Sequence, residues 1–369
     1  MTRDLRLDTL RGLLLVLMAV NHFSWLLPDG WWGSHLTWQP LGYVSAAEGF
    51  VFLSGFTFAL ASARYGGNLG LLWQKAYPRA LQIYFYHLIT ILGVAAVFWL
   101  VPPYRTVWAE WFSPSRETFL ASLSAMVLLL HQPAYFNILP MYALFMIVSP
   151  VVLTLLARRQ LGVVLMASVA LWLLGQVTNP FEIATTLLFP SHRAGYFNVL
   201  SWQLLYVLGL VLGSPAGQQA MAPLLESTRL RSLICFCAVL FFLSRHAVIL
   251  PEMVDGIDRP SLQWGRLTNV LLLTAIGGMV FPKFSPRACV PWLAFLGQHS
   301  LQVFTFHVVA FYLLLPVTSA VVATWGSGGF LPFVALVVAG LWGAAWCHTK
   351  YQNAIPLSLL GMASRVRVS

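Results

Sequence analysis

The chain has 369 residues, 59% of them hydrophobic and 9% charged, with a net charge of +10 and a mean hydropathy of +0.77. Soluble domains carry about 25% charged residues, so this composition excludes a large-core globule and indicates a polytopic membrane protein. The excess of Lys and Arg reads as cytoplasmic-loop charge rather than a nucleic-acid surface, because no nucleic-acid-binding motif accompanies it.

The first apolar run, residues 9–27, is long and charged enough to be an uncleaved anchor rather than a secretory signal. It carries Arg11 near its start and His22 well inside. Eleven helical steps place these two about 20° from a common face and roughly 16 Å apart along the axis. Asp8 lies on the same side, three residues before Arg11, so the helix bears a polar stripe on an otherwise apolar surface. Arg11 alone reads equally well as a side chain snorkelling to the headgroups. Three ionisable groups on one face favour function, because such groups are costly in hydrocarbon.

An aromatic outer loop with Trp31, Trp32 and His35 follows, then a second run at 46–63 with Glu48 at its outer start, where surface solvation would suffice. Arg64, Lys75 and Arg79 mark an inner loop. Further runs are expected at 80–101, 138–157, 161–178, 199–213, 231–250, 265–281, 295–316 and 330–347. The apolar stretch Phe119 to Leu130 is too short to cross straight and suits an interfacial or re-entrant helix. Most of the 21 basic residues then fall on one side, including Arg158-Arg159 and the tail residues Arg365 and Arg367. The expected fold is thus all-α: about ten transmembrane helices plus one short helix, both termini cytoplasmic, as a single integral-membrane domain over 1–369. The four cysteines lack metal-ligand spacing and should stay unpaired.

No phosphate loop, dinucleotide fingerprint, metalloprotease motif or serine elbow is present. What remains is a set of histidines, amides and charges within apolar helices. His299 and His307, eight residues apart, sit about 80° from each other on a helix and could line one cavity. Each alone also suits a hydrogen-bonded interior position. His22 has the acid–base range of a general base, and Arg11, oriented by Asp8, could grip the phosphates of an acyl donor from the cytoplasm.

Several segments carry a family resemblance. They are Arg6-Leu-Asp8-Thr-Leu-Arg11-Gly with His22; Ala46-Ala-Glu48-Gly-Phe-Val-Phe-Leu-Ser-Gly55; Gln132-Pro-Ala-Tyr-Phe-Asn137-Ile-Leu-Pro-Met-Tyr142; Trp202-Gln203-Leu-Leu-Tyr-Val-Leu-Gly209; and Leu296-Gly-Gln-His299-Ser-Leu-Gln302-Val-Phe-Thr-Phe-His307. In order and number they make the chain resemble the OpgC-type succinyltransferases of osmoregulated periplasmic glucans, within the wider membrane acyltransferase-3 group. That resemblance implies an inner-membrane, multi-pass enzyme with Arg11 and His22 as the catalytic signature. It implies acyl-CoA (succinyl-CoA or acetyl-CoA) as co-substrate, a glucan or other glycan hydroxyl as acceptor, glucan-synthesis machinery as partner, and no metal. Asp8 and Glu48 join the catalytic set, with Asn137, Gln203, His299 and His307 on the substrate side; Arg64 and Arg79, inner charges close to the first spans, are expected to bind the donor phosphates with Arg11. Asn21 and Ser45 stand where the family commonly has Asp. The competing class is a proton-coupled transporter using His22 and Glu48, against which no paired inverted repeat is visible.

Overall fold

The computed structural model describes residues 3–25, 37–112, 119–246, 255–285 and 287–351. Every longer regular element among them is an α-helix. Trp31, Trp32, His35, Arg365 and Arg367, and most of the loop before Asp255, lie outside the described residues. The helices are α1 (Leu5–Ser24), α2 (Ala46–Ser62), α3 (Leu69–Leu100), α4 (Pro102–Trp108), α5 (Phe119–Val127), α6 (Ile138–Ala157), α7 (Leu161–Leu174) and α8 (Pro180–Leu188). They continue with α9 (Val199–Gly213), α10 (Pro215–Glu226), α11 (Thr228–Arg245), α12 (Trp264–Val280) and α13 (Pro291–Gln298). Two long helices close the chain, α14 (Ser300–Gly326) and α15 (Gly328–Tyr351), separated where Gly326 leaves helical geometry at φ 56°.

Among the described residues each expected apolar run is helical over most of its length, the ninth, 295–316, with a break, and α6 and α9 occupy the expected residues. Among the described residues five helices are long and apolar enough to cross a membrane, or six if α9 and α10, bent by 85°, form one span. The others fall short for visible reasons. Helices α7, α9 and α12 have 14, 15 and 17 residues, below the ~20 that a straight crossing needs, and α1 bears Arg6, Asp8 and Arg11. The short run at Phe119 is a nine-residue helix with Phe119 and Leu120 exposed. The ninth run does not continue through His299, which ends α13 at φ −107°, ψ 30°.

Helix starts follow local chemistry. The Asn68 side chain accepts from Leu71 N, Asn198 from Leu200 N, and Ser227 from Leu230 N, each satisfying an amide that the helix cannot. One continuous core runs from Leu15 and Phe23 of α1 through Tyr206 of α9 to Leu341 of α15.

Two crossings are set by glycine. A Cβ on Gly12 of α1 would land on the Leu293 carbonyl of α13, and one on Gly297 would land on the Asp8 carbonyl. Helices α2 and α9 show the same reciprocity, Gly55 against the Tyr206 carbonyl and Gly209 against that of Phe52. Small residues of this kind let helix backbones touch where hydrocarbon supplies no hydrophobic drive. Gly209→Ala should therefore destabilise the protein by about 1–3 kcal/mol through overpacking. Gly93→Ala, whose Cβ meets nothing within 4 Å, should not. Thermal unfolding of the two variants in detergent, compared side by side, checks this.

Candidate active site

A cavity of about 300 Å³ opens at the His22 end of α1. His22, Asn21 and Met18 line it from α1, Ala46 and Ala47 from α2, Tyr135, Asn137 and Ile138 from the segment entering α6, and Arg259 from the loop before α12. Trp25, Trp38, Trp111, Tyr196 and Phe197 complete the wall.

His22 is clamped on two sides. Its Nδ1 lies 3.0 Å from Nε2 of His307 on α14, and its ring stacks on Tyr135 with centroids 3.7 Å apart. Trp111 stacks on the other face of the array at 6.1 Å, and Phe311 meets Tyr135 edge-on at 4.7 Å. Tyr135 adopts φ 68°, a left-handed conformation uncommon for a bulky residue and of the sort retained at functional sites. Neighbouring bonds hold it there: Ala134 N donates to the Trp111 carbonyl (3.1 Å), and the Tyr312 hydroxyl donates to the Ala134 carbonyl (2.9 Å). With Nδ1 engaged, Nε2 is the His22 nitrogen left for the cavity.

Beside the cavity, Glu48 is fully buried, not solvated at a surface as its position near a loop suggests. Its Oε1 accepts from Arg266 Nη1 at 2.8 Å, and its Oε2 accepts from Ser45 N at 3.1 Å and from the Ser45 hydroxyl. Arg259 Nε approaches Glu48 at 3.7 Å, while its Nη2 donates to Ser45 Oγ at 2.8 Å. Arg266 also donates through Nε to the Ile257 carbonyl (2.9 Å) and through Nη1 to that of Tyr43. Desolvation pulls the Arg259 guanidinium below the usual arginine value, with Glu48 acting in the opposite sense. Neither arginine stands out in the sequence by local pattern. The available signal was a basic residue inside the apolar run at 265–281, facing an acid at the head of another.

The remaining expected residues divide among three places. Asn137 lines the cavity. Arg11 does not; its Nη2 donates to Ser300 Oγ at 2.8 Å, near the other end of α1. Asp8 does not orient Arg11, because it is paired with Arg3 at 2.5 and 2.9 Å. His299 and His307 do not line one cavity: neither is in its wall, and His307 supports His22 from behind it. The break at His299 redirects it to His348, Nδ1 to Nδ1 at 3.0 Å, and to Thr349 at 3.1 Å. Gln203 ties α9 to α7, exchanging bonds with Ser168 Oγ (2.8 Å) and the Ser168 carbonyl (2.7 Å), and is absent from the cavity wall. Arg64 is exposed and bonded to the Tyr65 hydroxyl, and Arg79 donates to Gln82 Oε1. Asn21 donates to the Thr37 carbonyl (2.7 Å), and Ser45 caps the start of α2.

Residues 3–353 match a protein-family model described as OpgC protein. The chain belongs to that family. No curated protein and no solved structure matches it. For this OpgC family member the match spans both ends of α1 and the arginine–glutamate network, so the cavity and the Arg11 end of the bundle lie in one family unit.

Replacing Glu48 by Gln would leave Arg266, 4% exposed, buried without its anion. Breaking such a pair costs about 3–5 kcal/mol, so Glu48→Gln should sharply lower the unfolding temperature. Adding Arg266→Met to that variant should recover part of the loss, since removing both charges is far less costly than removing one.

Proposed function

We propose that this protein is a multi-pass inner-membrane O-acyltransferase. It would move a short acyl group, succinyl foremost, from cytoplasmic acyl-CoA to a hydroxyl of a periplasmic or exported glucan, as a single integral-membrane catalytic unit. The observation that carries this reading is His22, oriented by His307 and Tyr135 in the wall of a cavity. Family membership supplies the reaction class.

The chemistry follows from the ring nitrogens. With the proton on its Nδ1, His22 donates to Nε2 of His307 at 3.0 Å. That tautomer leaves a lone pair on His22 Nε2. An acceptor hydroxyl there gives its proton to Nε2 as its oxygen attacks the thioester carbonyl. Collapse of the tetrahedral intermediate breaks the C–S bond, and the proton passes from His22 to the departing thiolate. The Asn137 amide, which lines the same cavity, would meet the developing oxyanion. The CoA phosphates would lie against the inner cations, with Arg11, Arg79 and Arg64 as charge-assisted partners and His299 beside them. The aromatic wall suits stacking on sugar rings, whose C–H faces pack on aromatic surfaces.

His22→Asn keeps the hydrogen bond to His307 and removes the base. In membranes supplied with labelled succinyl-CoA and glucan, transfer should fall about 10²–10⁴-fold at unchanged protein abundance. A folded variant retaining more than about a tenth of the activity would make His22 structural.

The proposed orientation puts both termini and Arg158-Arg159 in the cytoplasm, and the cavity mouth outside. In a version lacking the four native cysteines, Gln160→Cys should resist an impermeant thiol reagent in intact cells, and Asp258→Cys should react. Labelling at 160 would mean that α5 is part of a crossing.

A further inference from the structure

Among the described residues, the charged side chains at and beside the His22 cavity are more positive than negative. Two guanidiniums, Arg259 and Arg266, share one carboxylate, Glu48. The oxygens of Glu48 are already committed, Oε1 to Arg266 at 2.8 Å and Oε2 to Ser45. Arg259 therefore gets only a 3.7 Å approach through Nε, and that nitrogen is buried with no hydrogen-bond partner among the described residues. Asp258, next in sequence, is exposed and accepts instead from the Ser261 hydroxyl at 2.7 Å and amide at 3.2 Å. The unmatched charge thus belongs to the one arginine of the pair that lines the cavity.

Arg259 is also held in place. Its guanidinium lies 5.2 Å from the Trp38 ring centroid and 5.3 Å from that of Phe197, with Nη2 fixed on Ser45 Oγ. A planar, oriented, incompletely neutralised guanidinium in a small cavity is built to receive a carboxylate or similar oxyanion. Arg259, His22 and Tyr135 line the same cavity, so an anion bound there sits within the same small site as the base.

We infer that Arg259 is the specificity-determining residue of the acyl site, gripping a free carboxylate at the far end of the transferred acyl group. The acyl group would then be the half-ester of a short dicarboxylic acid, with its carbonyl at His22 and its carboxylate at Arg259. This rests on the acyl-transfer reading given above. A cavity of about 300 Å³ admits such a group together with an approaching hydroxyl. The acceptor is the less suitable occupant of the cationic corner. Neutral sugar hydroxyls and C–H faces match the Trp25 and Tyr196 side of the cavity, not a desolvated cation.

The test compares succinyl-CoA with butyryl-CoA, its uncharged counterpart of equal chain length, on a neutral glucan, for wild type, Arg259→Gln and Arg259→Lys. Wild type should prefer succinyl. In Arg259→Gln that preference should collapse by about tenfold or more, because the anion loses a charge-assisted partner, and Arg259→Lys should fall between. Glu48 keeps Arg266 in both variants, so the ion pair at the head of α2 survives. As a readout independent of turnover, free succinate but not butyrate should raise the unfolding temperature of wild type, and Arg259→Gln should abolish that shift. Equal losses with both donors, an unchanged preference, or no succinate effect on wild type would each overturn the inference. Should the wild type use neither donor, the acyl-transfer reading would fall and this inference with it. Retained acyl transfer without a charge preference would sink the inference alone.

Discussion

A carboxylate with no exposed surface stays ionised in an apolar bundle only if cations and hydrogen bonds replace its water. Glu48 meets that condition through partners 218 and 211 residues away in sequence, Arg266 and Arg259, plus the backbone and hydroxyl of Ser45. The arrangement pins the first turn of α2 to the first turn of α12 and to the loop between residues 255 and 263. That loop in turn reaches α9 and α7, because Trp202 donates to the carbonyls of Arg259 and Pro260, and Trp172 to that of Leu262. One wall of the cavity is therefore a consequence of one buried charge. The helix N-terminus helps, since its unpaired amides favour a negative residue in the first turn.

The opposite wall has a different origin. It is made of rings rather than ions: Tyr135 between His22 and Trp111, Phe311 across its edge, and Tyr312 and Trp108 behind. Dipole and packing terms here are individually small, but they fix an imidazole face-on while leaving one nitrogen free. An ionic wall can hold charge and an aromatic wall can hold a neutral ring, so the cavity presents two chemically distinct halves to whatever enters it.

Much of the helical framework was legible because hydropathy is a local signal. The runs at 138–157 and 199–213 are helices over those very residues, and the shortness of the Phe119 run carried through to α5. The pairing of His22 with His307 was partly legible, since both are polar residues on apolar helices that gain by meeting. What remained hidden was long-range pairing. Glu48 near a loop looks solvated, Asp8 three residues from Arg11 looks like its partner, and His299 in an unbroken apolar run looks as if it shares a face with His307. In each case a contact from elsewhere decided the matter: Arg266 for Glu48, Arg3 for Asp8, and His348 for His299.

The backbone contact of α1 with α13 bears on how a reaction could span the bundle. Gly12 against Leu293 and Gly297 against Asp8 leave no slack for α1 to slide or rotate past its neighbour. Arg11 and His22 ride on that same rigid rod, and their separation of roughly 16 Å is in effect a fixed ruler. On the proposed acyl-transfer reading, a donor anchored by its phosphates at Arg11 would need a flexible tether long enough to present its reactive end at His22. The protein would then measure its donor by length before chemistry begins, and a carrier with a shorter arm would bind without ever reacting.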